Sequence, residues 1–158
     1  MVLLRYVFIG FILMMTGSAF AAESSLSLSV YKSAQCGCCG SWIKHMESTG
    51  FQIETHNLEA EELNATKNQY AVKPLYQSCH TAVFKNKYVF EGHIPAKLIQ
   101  KFLVDVPDQA VGLAIPAMPV GSPGMEMGDR FSPYDVLLLK ADGTHEVYAH
   151  IASYEQQF

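Results

Sequence analysis

The chain is short of charge. Only 16% of its 158 residues are Asp, Glu, Lys or Arg, and 11 basic residues face 15 acidic ones for a net charge of −4. Without a basic excess there is no electrostatic footprint for a nucleic-acid partner. Beyond the first 22 residues the sequence also lacks any apolar run approaching the ~20 residues that a membrane span needs, which excludes a polytopic membrane protein. It has one tryptophan and four cysteines, and it contains no internal repeat and no low-complexity tract. What remains is an average globular composition, 49% apolar over the whole chain. That is enough for a single domain with a core of its own, and it excludes intrinsic disorder.

Residues 1–21 read as a secretory leader. Arg5 supplies a short basic region, Tyr6 to Met15 an apolar one, and Ala19-Phe20-Ala21 an A-x-A cleavage site. The apolar stretch is too short for an uncleaved anchor. No cysteine sits at the cleavage region, which argues against lipidation. The expected mature chain is residues 22–158, one domain in the periplasm, with no stable membrane insertion after cleavage.

An exported protein with an even cysteine count ordinarily carries structural disulfides. Here three of the four cysteines are bunched in Cys36-Gly37-Cys38-Cys39-Gly40, with Cys79 apart. Three sulfurs in one turn cannot tie distant segments together, so the clustering asks for a chemical explanation.

Leu26 to Tyr31 alternates as a strand and runs into the cysteine cluster; from Cys39 to about Ser48 the period is helical, and Gly50 is placed to stop the helix. Phe51 to His56 alternates again, and Glu59 to Tyr70 is a second helix, acidic at its start. Leu75 to Cys79 reads as a loop, Thr81–Phe84 and Lys87–Phe90 as a hairpin, and Pro95 as the opening of a third helix whose buried stripe is Leu98, Ile99, Phe102 and Leu103. The order is β-α-β-α-β-β-α, an α/β arrangement of thioredoxin-like type. Crossover helices imply parallel pairing in its first part. Five of the seven prolines then fall between 106 and 133, a segment too rich in Pro and Gly for a regular element and carrying Met118, Met125 and Met127. Residues 134–150 form a terminal hairpin turning at Asp142-Gly143.

Cys36 and Cys39 make a C-x-x-C at a helix start, where the N-terminal dipole favours thiolate. Alone, that pair suggests a thiol–disulfide oxidoreductase. Cys38 complicates it, because a third adjacent thiol is a competing partner, and three thiolates in one turn suit a multidentate soft-metal site. In a thioredoxin-like sheet the loop entering the third strand faces the first helix and normally supplies a cis-proline. Here Ser78-Cys79-His80-Thr81 occupies that place, so all four sulfurs converge if the fold holds. Tetrahedral zinc normally draws ligands in separated pairs, whereas thiolates with thioethers select Cu(I). Met125 and Met127, flanking one acidic residue, are the stronger thioether candidates, and Met118 the weaker. His80, His45 and His93 are the histidines placed to contribute to a metal or its surroundings; His56, His145 and His150 read as ordinary.

The run Tyr31-Lys32-Ser33 … Cys36-Gly37-Cys38-Cys39-Gly40-Ser41-Trp42 resembles the opening of the periplasmic CopG-type copper-resistance proteins, a family distinct from the ribbon-helix-helix repressors of the same name. The resemblance continues through Ser78-Cys79-His80-Thr81-Ala82-Val83, Glu91-Gly92-His93-Ile94-Pro95-Ala96, Gly112 to Pro116, Met118 to Glu126 and Tyr134-Asp135-Val136, so that it covers about Leu28 to Val147. It implies a thioredoxin-like fold and a site of one or several Cu(I) ions on Cys36, Cys38, Cys39 and Cys79. It also implies a methionine loop at Met118 and Met125, and a role in periplasmic copper handling beside efflux or chaperone proteins.

Overall fold

The computed structural model describes residues 26–158; the expected leader, residues 1–21, lies outside them. The architecture is the mixed α/β one read from the sequence. β1 (Ser27–Lys32), α1 (Gly37–Ser48), β2 (Gln52–Asn57), α2 (Ala60–Gln69), β3 (His80–Phe84), β4 (Tyr88–Glu91) and α3 (Ala96–Val104) follow in the anticipated order. After them come β5 (Ala110–Ala114), β6 (Tyr134–Lys140) and β7 (His145–Ile151). Seven strands form one sheet in the order β2-β1-β3-β4-β5-β6-β7, an arrangement consistent with a thioredoxin-like core extended at one edge. No helix among the described residues is long and apolar enough to cross a membrane.

Two features differ from the sequence reading. The first is pairing. β1 and β2 are parallel, as a crossover helix requires, but β3 runs antiparallel to β1, with Lys32 opposite His80. The cause is the segment after α2. Instead of turning directly into the sheet, the chain passes through a 3-10 turn at Pro74–Tyr76 and enters β3 from the end where β1 hands over to α1. This reversal delivers Cys79 beside the cysteine cluster.

The second difference is β5, a regular strand inside the segment read as irregular. It pairs parallel with β4 and antiparallel with β6. Gly112 does not break it, because the strand needs a residue without a side chain there: a Cβ would stand 1.7 Å from the Val89 carbonyl oxygen. Through β5 the terminal hairpin continues the domain's own sheet.

The helices pack by their apolar stripes. Leu98, Ile99 and Phe102 of α3 are fully or almost fully buried, while Leu103 is only half-buried. Trp42 and Met46 of α1 join the same core with Leu28, Val30, Phe90 and Ile94. Trp42 is completely buried, and its indole Nε1 donates to the Ile94 carbonyl at 2.9 Å. That bond fixes α1 against the β4–α3 connection, which carries His93.

Candidate metal centre

Cys36 is the residue before α1, with extended backbone angles, and Cys38 and Cys39 lie in the helix's first turn. Cys79 arrives from the β3 entrance. The four sulfurs lie within 4.8 Å of one another. The distant sulfur therefore does join the trio, and it is a free thiol, as is Cys38. Cys36 and Cys39, in contrast, are joined as a disulfide, with Cys38 Sγ 3.5 Å from Cys36 Sγ. The four-thiolate set expected from the sequence is thus the two-electron-reduced form of what the structure contains. As donors, four sulfurs in so small a volume suit a soft ion.

Cys79 has neighbours that spacing alone does not reveal. His93 Nε2 is 3.0 Å from its sulfur and His80 Nδ1 is 3.3 Å away. His93 Nδ1 donates to the Pro123 carbonyl at 2.8 Å, which leaves Nε2 as the nitrogen presenting a lone pair to Cys79. His80 lies against Trp42, ring centroids 4.4 Å apart, and its Nε2 is buried without a partner. Burial, and then the nearby Cys38, push the Cys79 thiol up to about 12. In the metal-free protein it is therefore a thiol, and a metal must displace its proton. His45, the third histidine singled out, does something else: its Nε2 accepts from the Ala96 backbone N–H at 3.1 Å, satisfying the start of α3.

The methionine segment closes over the start of α1. Gly124, at φ +86, sits so close that a Cβ would stand 2.6 Å from Trp42 N and 2.7 Å from the Cys38 carbonyl oxygen. Met125 follows it and is half-buried. Met118 and Met127 are both exposed, and Met127 Sδ lies 3.5 Å from Arg130 Nη2 in its own turn. Ser78 Oγ donates to the Ala117 carbonyl, so the Cys79 loop and the methionine segment are tied together. Gly124→Ala is expected to lift the segment off α1 and to cost about 1–3 kcal/mol. Urea titration checks this, with Gly37→Ala, whose Cβ meets nothing within 4 Å, as the control.

His80 and His93 set an acid limit on the metal-free fold. Burial holds both below the ordinary histidine value; for His80 the positive charges of Lys67 and Lys32 act in the same direction, as does His93. The fold holds them neutral, so the unfolded chain binds protons better. Their stabilisation is complete above ~6.5, the unfolded value, and is lost as pH falls below it at up to about 1.4 kcal/mol per pH unit for each ring. Denaturation of metal-free protein should show constant contributions from pH 8 to 7 and a decline toward pH 5; an unchanged midpoint at pH 5 would contradict the assignment.

Two solved structures, copper resistance protein copG Form 1 and Form 2, match this chain at 42% sequence identity, with TM-scores of 0.74 and 0.73. Each match covers 80% of this chain and 98% of the other. The chain belongs to the CopG copper-resistance family. The family model described as a protein of unknown function, DUF411, matches residues 76–125, from the Cys79 loop to Met125. No curated protein matches this chain.

Spacing singled out Cys36, Cys38, Cys39 and Cys79, which the fold brings together, and it named His80 and His93 without the sulfur they face. It missed Pro123, whose carbonyl orients His93, and the buried Lys67–Glu91 pair behind Ser78. A main-chain carbonyl leaves no trace in composition. Glu91 does leave one, as a lone acid ending the apolar strand Tyr88-Val89-Phe90.

Proposed function

We propose that this CopG-family chain is a periplasmic copper-binding protein of copper resistance. In its reduced state Cys36, Cys38, Cys39 and Cys79 bind one or several Cu(I) ions as thiolates. Met125, half-buried and next to the Gly124 that seats its segment on α1, is the first thioether ligand, with the exposed Met118 and Met127 as further ones. The chain functions as residues 22–158, one domain released from a leader, and exchanges copper with efflux or chaperone proteins. The observation that carries this reading is the gathering of four sulfurs within 4.8 Å from two separate segments. Thiolates bridging adjacent ions explain three sulfurs within one turn, and such a cluster would be suited to passing electrons between Cu(I) and Cu(II).

The test is elemental analysis of protein from copper-fed cells, purified anaerobically with reductant, with a thiol count on the same sample. Copper at one equivalent or more with four free thiols supports the reading; metal-free protein under these conditions rejects it.

One observation favours a second reading. The Cys36–Cys39 disulfide at the start of a helix is the arrangement a thiol–disulfide oxidoreductase uses. Insulin reduction by metal-free protein, undiminished by Cys38→Ser, would favour that activity.

A further inference from the structure

Closing the Cys36–Cys39 disulfide removes two of the four sulfurs from any metal, yet it leaves a second donor set intact. Cys79 Sγ, His80 and His93 each offer one ligand atom, and these atoms lie within 4.8 Å of one another. We infer that Cys79, His80 and His93 form a mixed thiolate–imidazole site for a borderline divalent ion of the Cu(II) or Zn(II) class, available while Cys36 and Cys39 are oxidised.

Three observations carry this beyond the four-sulfur reading, with which it shares only Cys79. The ligand types differ: two imidazoles with one thiolate suit borderline divalent ions, whereas an all-sulfur set suits Cu(I). The rings are held as ligands are held. His93 donates its Nδ1–H to Pro123 and turns Nε2 to the sulfur, the outer bond that fixes tautomer and orientation in histidine metal sites. His80 is completely buried against Trp42, which holds the ring with its Nδ1 facing the same sulfur.

The spacing is close to what an ion requires. Bonds of ~2.0 Å to nitrogen and ~2.3 Å to sulfur hold the two donors roughly 3.5 Å apart at a tetrahedral angle. The separations of 3.0 and 3.3 Å must widen by only a few tenths of an ångström. Binding replaces the Cys79 S–H bond by a sulfur–metal bond, releases that proton to solvent, and moves no electrons. Ligands remaining at the ion come from water.

The experiment uses wild-type protein with the Cys36–Cys39 disulfide intact, titrated under argon with Co(II), which does not oxidise thiols. X-ray absorption at the cobalt edge then identifies the bound atoms. The expected result is one equivalent of Co(II) with sulfur and imidazole nitrogen in its first shell. Affinity is expected to fall by roughly 10–100-fold or more in His93→Gln and in Cys79→Ser. No binding, or a shell of sulfur or of water oxygen without imidazole, overturns the inference. The wild-type spectrum decides even if His93→Gln does not fold. Cu(I) titration of fully reduced protein, run in parallel, reports on the four-sulfur reading alone, so the two fail separately.

Discussion

Cys79→Ser is expected to strip the reduced chain of most of its Cu(I), weakening binding by at least about 100-fold in competition with a Cu(I) chelator. Of the four cysteine sulfurs, only that of Cys79 lies outside the first turn of α1 and its preceding residue, and it joins that turn to the β3 entrance. Serine is nearly the same size but offers a hard oxygen, which Cu(I) does not favour. The position is half-buried, so the fold should survive, and an unchanged urea midpoint would show that it has. The same loss is expected for wild-type protein oxidised at Cys36–Cys39, because two thiols remain where there were four. Binding within twofold of wild type in both samples would reject the four-sulfur site.

Element order was legible because each helix and strand carries its own period: Leu98, Ile99 and Phe102 for α3, the alternation of Leu26 to Tyr31 for β1. β5 was not, because Pro107, Gly112 and Pro116 look like interruptions until Val89 is known to lie against Gly112. Its partners, β4 and β6, are distant in sequence, and tertiary pairing overrode local preference there. Pairing direction between β1 and β3 was read two ways: crossover helices suggested parallel, whereas a third-strand entrance facing α1 requires the antiparallel pairing found.

In the site, the sulfurs were legible because cysteine bunching is rare and chemically specific, and because the third-strand entrance faces the first helix. The C-x-x-C spacing picked out Cys36 and Cys39 as the redox pair, but not that they are joined, because the adjacent Cys38 thiol argued for a metal site instead. Orientation was hidden for a different reason. His93 is aimed by the Pro123 carbonyl, and Gly124 seats that segment on Cys38 by lacking a side chain. Neither is a property of the histidine or the cysteine itself.

The largest effect on stability is expected at the buried pair behind the Cys79 loop. Lys67 and Glu91 are 3% and 0% exposed, with Nζ and Oε1 2.5 Å apart. The Glu91 carboxylate also accepts from Ser78 N and from Thr81 Oγ1, each at 2.6 Å, and Lys67 donates to Thr81 Oγ1 at 3.0 Å. Burial pushes the Glu91 carboxyl up, and Lys67, Thr81 and Ser78 each pull it back. Lys67→Met leaves that carboxylate without its cation and should cost about 3–5 kcal/mol, read from denaturant midpoints. Adding Glu91→Leu should recover only part of this, because Ser78 N and Thr81 Oγ1 then lose their acceptor at about 1–3 kcal/mol each. The two Glu91 variants separate stability from function. Glu91→Gln retains an amide oxygen for Ser78 N, so the loop should stay in place and Cu(I) affinity should remain within about threefold of wild type despite a lower midpoint. Glu91→Leu releases the residue next to Cys79, and its Cu(I) affinity should fall by tenfold or more at a temperature where the protein is still folded. Equal copper affinity in the Gln and Leu variants would show that the Ser78 tether does not position Cys79.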